Sequence, residues 1–175
     1  MTTEIARFKT AIERIDAANS ADPESVVRDG VARPRELVYS ERMSRWLERL
    51  APDASEALRL AVRAQHIRRW TIPRANYPEG KRGYHHWRTT LYKFHAEQAG
   101  AILRDIGYED VTVGRVQSLL CKEDLKRDPE CQTLEDVACL VFLEDYFEDF
   151  SQKHDEEKLI TILRKTWRKM SARAQ

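Results

Sequence analysis

Apolar residues recur with a period close to 3.6 along almost the whole chain, and only six glycines and six prolines interrupt it in 175 residues. That period lays one apolar stripe along each helix and does not match the two-residue alternation of half-buried strands. The stripes predict helices over roughly 3–18, 23–29, 35–51, 54–70, 84–106, 112–124, 133–150 and 155–171, with ends placed to about 2–4 residues. Local punctuation divides them. Asp22 before Pro23 reads as an N-cap followed by a first helical residue, and "APDAS" separates two helices. Gly107 follows "AILRDI" as a C-cap, and Thr133 opens "TLED" as a capping box. No internal repeat and no convincing strand is visible. The expectation is an all-α helical bundle forming one domain over 1–175, long enough to bury its own core.

Composition narrows the function classes. Charged residues make up 34% and hydrophobic ones 42%, a globular rather than a disordered balance. Thirty basic and 29 acidic side chains leave a formal charge of +1, which excludes a generally basic nucleic-acid coat but permits a local basic patch. No DNA groove-binding motif is present. Cys121, Cys131 and Cys139 form no C-x-x-C pair and leave an odd count, so free thiols in a reducing compartment are expected. The amphipathic N-terminus lacks an apolar leader core and no run of eighteen apolar residues occurs, so a cytoplasmic chain without membrane spans is expected.

Several polar residues fall on core-facing stripes. The stripe Leu58, Ala61, Val62 continues at helical spacing into Gln65, His66 and Arg69. His95 shares a stripe with Trp87, Leu91, Ala99 and Ile102, and Asp136 lies one turn before Leu140. Three predicted helices thus each turn one potential metal ligand inward. For Asp136 the position also suits a capping box from Thr133.

Between two of these helices, "TIPRANYPEGKRG" (71–83) has no helical period and carries Pro73, Pro78, Gly80 and Gly83. A loop of that length in a compact domain is usually functional or disordered, and Tyr77 with the prolines favours order. Arg68, Arg69, Arg74, Lys81, Arg82 and Arg88 cluster around it in sequence. Guanidinium forks suit phosphate, and Tyr77, Tyr84 or Trp87 can stack on a base. A small phosphorylated ligand or nucleotide, or an RNA phosphate, is the expected partner. His85 and His86 read as helix surface.

The segment "YSERMSRWLERLAPDASEALRLAVRAQHIRRW", with "FHAEQAGAILRDIGYEDVTVGRVQSLLCKED" and "LEDVACLVFLEDYF", resembles the HD superfamily of phosphohydrolases over roughly 37–150. The chain as a whole resembles domain-of-unknown-function family 4202, through "QHIRRW", "IPR", "WR" and "FHAEQAG". The HD resemblance implies an HD-like core over about 35–150 with flanking helices. It also implies a divalent metal (zinc, manganese or iron) on His66, His95 and Asp136, with Glu97 or Glu135 as general base. Arg68, Arg69, Arg74, Lys81 and Arg88 become phosphate-side candidates. Tyr39 and Ile67 stand where that superfamily carries its first histidine and its paired aspartate. Two functions follow: a metal-dependent hydrolase acting on a phosphate ester or nucleotide, or a degenerate module that binds a nucleotide or RNA phosphate without turnover. Two short matches mislead. His154–Asp155 lies in a polar connector, where Asp155 reads as a helix cap. Lys169-Met170-Ser171 echoes a synthetase loop whose dinucleotide fold and partner motif are missing. There is no P-loop and no G-x-G-x-x-G.

Overall fold

The computed structural model describes residues 2–28, 30–152 and 155–175, and among these the architecture is all-α apart from one small hairpin. Helix α1 (Thr2–Ser20) leads into strands β1 (Ser25–Arg28) and β2 (Val31–Pro34), followed by α2 (Arg35–Leu50) and α3 (Glu56–Ala64). After two short 3-10 turns come α4 (Gly80–Ile106), α5 (Asp110–Cys121) and α6 (Pro129–Val141). A π-type turn at Phe142–Tyr146, α7 (Phe147–Ser151) and α8 (Glu156–Lys169) complete the chain.

One core serves helices α1 to α6. Ile15 of α1, Met43 and Leu47 of α2, Leu58 and Leu60 of α3, Leu103 of α4, Val116 and Leu119 of α5, and Leu134 of α6 are essentially solvent-free. Removing such side chains from water is the main favourable term in folding, roughly 1.5–3 kcal/mol for each large one. The longest contact runs between α4 and α5, while α2 packs on α3 and α6. Gly107 ends α4 at φ +89°, with its own N–H and that of Tyr108 closing on the Arg104 and Leu103 carbonyls. Asp155 caps α8 by accepting from the Lys158 N–H, and Ser55 caps α3 in the same way through Leu58. The three cysteines are free thiols. No helix among the described residues is long and apolar enough to cross a membrane.

Four expectations are corrected. Residues 23–29 do not form a helix: Val26 pairs with Arg33 and Val27 with Ala32 in an antiparallel hairpin, and Gly30 takes φ +78°. Asp22 caps no helix there; its carboxylate accepts from the N–H groups of Glu24 and Glu36 and ties the hairpin to the start of α2. The helix expected to reach Trp70 stops at Ala64, and Arg68 turns the backbone into the left-handed region at φ 52°. The helix expected from Thr133 starts four residues earlier, because Asp128 accepts from the N–H groups of Glu130 and Cys131 and Pro129 occupies the first turn. Thr133 instead returns its hydroxyl to the Pro129 carbonyl.

The 71–83 segment is ordered locally. Arg74 donates to the carbonyls of Tyr77 and Pro78, and Trp87 donates its indole N–H to the Ile72 carbonyl at 2.8 Å. Helix α4 therefore begins inside this segment, at Gly80, and Gly83 sits tight against the Pro78 carbonyl.

Candidate functional site

A cavity of about 250 Å³ opens between α2, α4, α6, α8 and the turn after α3. His66 and His95 both line it, as the stripes predict, with ring centroids 6.0 Å apart. Each histidine is fixed by a different device. His66 stacks flat on Tyr39, with centroids 3.9 Å apart and planes at 9°. Its Nε2 lies 2.9 Å from Arg69 Nη1, and a guanidinium can only donate, so Nδ1 carries the ring proton and donates to Glu36 Oε2 at 3.2 Å. Burial, then the charge of Arg69, holds His66 well below its ordinary pKa, while burial raises the Glu36 carboxyl. Both shifts drive this buried pair toward its neutral form.

His95 is 3% exposed and donates from Nδ1 to the Ile67 carbonyl at 2.9 Å. Burial and the neighbouring His66 push its pKa down to about 3, so the ring is neutral. The side chain of Ile67, which stands where a paired aspartate was expected, is fully buried. Its backbone carbonyl is what orients the histidine.

Four cations line the cavity: Arg69, Arg88, Lys122 and Lys169. Two are held on aromatic faces. The Arg69 guanidinium lies 4.8 Å from the Trp87 ring centre, and that of Arg88 lies 5.3 Å from Tyr92 and 5.8 Å from Tyr84. Arg88 also donates to the Tyr92 hydroxyl. Neither arginine is within ion-pair distance of a carboxylate among the described residues. Lys122, at the left-handed end of α5 (φ 57°), pairs with the buried Glu135, and Lys169 reaches the same carboxylate at 3.6 Å. Burial by itself raises the Glu135 carboxyl, but Lys122, Lys169 and Arg88 outweigh it and hold the group below its ordinary value. Glu135 is the one acidic residue in the wall among the described residues.

The other sequence candidates are placed elsewhere. Asp136 is buried, yet it faces the C-terminal segment: its oxygens accept from the Ser171 N–H at 2.8 Å, the Ser171 hydroxyl at 2.5 Å and the Gln132 amide at 2.9 Å. It does not join the histidines, and among the described residues no three His, Cys, Asp or Glu side chains are grouped to hold a metal ion. The implied divalent metal does not fit these donors. Both His66 nitrogens are engaged, one of them by a cation, and the Asp136 oxygens are taken up by Ser171 and Gln132. Glu97 is exposed beside Lys93 and Phe94, on a separate depression. Arg68 points away and donates to Gln98, Arg74 is spent on its own loop, and Lys81 is exposed outside the cavity wall.

Three contributors were not among the sequence candidates. Glu36 opens α2, and its stripe position was the available signal. Lys122 is a helix-end cation. Lys169 belongs to the "KMS" match set aside as misleading, and only the approach of α8 to α6 brings it to Glu135. His85 and His86 are exposed as expected.

No curated protein and no solved structure matches the chain. A family model described as a domain of unknown function matches residues 9–175, and on that coverage the chain belongs to the DUF4202 family.

Proposed function

We propose that this protein binds a small phosphorylated ligand in the cavity, without a metal and without turnover. The phosphate sits among Arg69, Arg88, Lys122 and Lys169, and the remainder lies against Trp87, Tyr84 and Tyr92. The observation that carries the reading is the pair Arg69 and Arg88. Two guanidinium groups face one cavity, are oriented by aromatic rings, and have no carboxylate in ion-pair range among the described residues. Arg69 gives one donor to His66 and Arg88 one to Tyr92, and the donors that remain can meet an oxyanion. Turnover is left out for a structural reason. Asp136 and Glu97 lie outside the cavity wall, and Glu135 is neutralised by two lysines rather than poised as a base.

Calorimetric titration with pyrophosphate and ADP, in chelator, tests the proposal. Binding is expected to weaken as salt rises and to fall at least about tenfold in Arg69→Gln and in Arg88→Gln, since a charge-assisted hydrogen bond contributes about 1.5–3 kcal/mol. Binding that is indifferent to both substitutions refutes it, as does a failure of every phosphorylated compound, sugar phosphates included, to bind.

A further inference from the structure

The cations describe one end of the ligand, and two acceptors without partners describe the other. The Ile67 carbonyl can only accept, so Nδ1 of His95 holds the proton and Nε2 presents a lone pair. That Nε2 is buried, belongs to a residue lining the cavity, and has no hydrogen-bond partner among the described residues. Oε1 of Gln65, also of the cavity wall, is buried and unpartnered too. Buried acceptors are nearly always met by a donor, and the described residues supply none here. An ammonium group is disfavoured by Arg69, Arg88, Lys122 and Lys169 around the same space. At about 250 Å³ the cavity is also smaller than the roughly 300–1,000 Å³ of pockets for drug-sized ligands, which disfavours a base, sugar and phosphate held together.

Building on the phosphate reading above, we infer that the ligand is a phosphorylated sugar whose hydroxyl groups donate to His95 Nε2 and Gln65 Oε1. A hydroxyl at each acceptor satisfies both at once, and the phosphate then lies toward the cations. Sites built to hydrogen-bond a hydroxyl discriminate steeply against an analogue that lacks it, because their own polar groups are left unpaired.

The test is calorimetric titration of the full chain with ribose 5-phosphate, glucose 6-phosphate and fructose 6-phosphate, against pentyl phosphate and inorganic phosphate. At least one sugar phosphate is expected to bind about tenfold or more tightly than pentyl phosphate. That preference is expected to vanish in His95→Asn, whose shorter amide keeps a donor for the Ile67 carbonyl but places no acceptor where Nε2 stands, and to shrink in Gln65→Leu. Thermal melts show which variants are folded, and Gln65→Leu, which anchors no backbone group, carries the test if His95→Asn is not. Pentyl or inorganic phosphate binding as tightly as every sugar phosphate overturns the inference and leaves the cationic site standing. So does a preference that survives both substitutions. If no phosphate compound binds at all, both readings fall together.

Discussion

His95 provides a direct measure of how far the cavity wall is withdrawn from water. The unfolded chain takes up a proton on this imidazole near its ordinary pKa of 6.5, whereas the folded chain refuses it until about 3. Between those values the unfolded state binds more protons, so stability falls as pH falls. At 1.36 kcal/mol per pH unit, moving from pH 7.5 to pH 5.0 crosses about 1.5 units of that window and costs about 2 kcal/mol from His95 alone. His66 is shifted in the same direction and adds to the loss. Glu36, raised by burial, works the other way, because it gains a proton more readily folded than unfolded. Both groups remain in His95→Asn, so the difference between the two proteins isolates His95. Urea unfolding at several pH values is the assay. Wild type is expected to lose about 2 kcal/mol more than the variant between pH 7.5 and 5.0, with the two curves parallel above pH 7. Parallel curves across the whole range would refute the claim that the fold holds this ring neutral.

Three further substitutions probe the supports of the site. Lys122→Met leaves the buried Glu135 with Lys169 alone, and by chemical denaturation is expected to cost toward the lower end of about 3–5 kcal/mol, with recovery on adding Glu135→Gln. Asp136→Ala strips partners from Ser171 and Gln132 and is expected to cost about 1–3 kcal/mol, read as faster amide exchange through the C-terminal turn beyond α8 than in the cavity helices. Gly83→Ala drives a Cβ into the Pro78 carbonyl, so its melting temperature is expected to fall, while Gly114→Ala, with open space at the Cβ position, changes little.

The helices were legible because a helix needs only local information: apolar spacing, a cap and a breaker. Gly107, Ser55 and Asp155 show this, each ending or starting a helix where a short stretch of sequence places it. The inward aim of His95 was legible for the same reason, since a stripe fixes the side of the helix on which a residue emerges; His66 lies in the turn beyond the end of α3, and its place in the cavity wall is set by that turn. Local signals misled where two of them competed. Asp22-Pro23 reads as a helix start, but the Asp-Gly dipeptide at 29–30 is a hairpin signal between valine-bearing segments, and the hairpin formed.

The identity of each partner across the cavity required the tertiary structure. A stripe says that Asp136 turns inward and cannot say that Ser171, thirty-five residues later, will take up its oxygens. Arg68 and Arg69 are adjacent and alike in sequence, yet the left-handed turn at Arg68 sends one outward to Gln98 and the other onto Trp87 and His66. Lys169 lies far along the chain from Lys122, and the two meet only at Glu135. Spacing along one helix is set by backbone geometry, whereas the pairing of charges between helices is set by how whole faces pack and exclude water. The all-α character and the inward aim of His95 therefore belong to the sequence alone. The cation-lined cavity exists only in the folded chain.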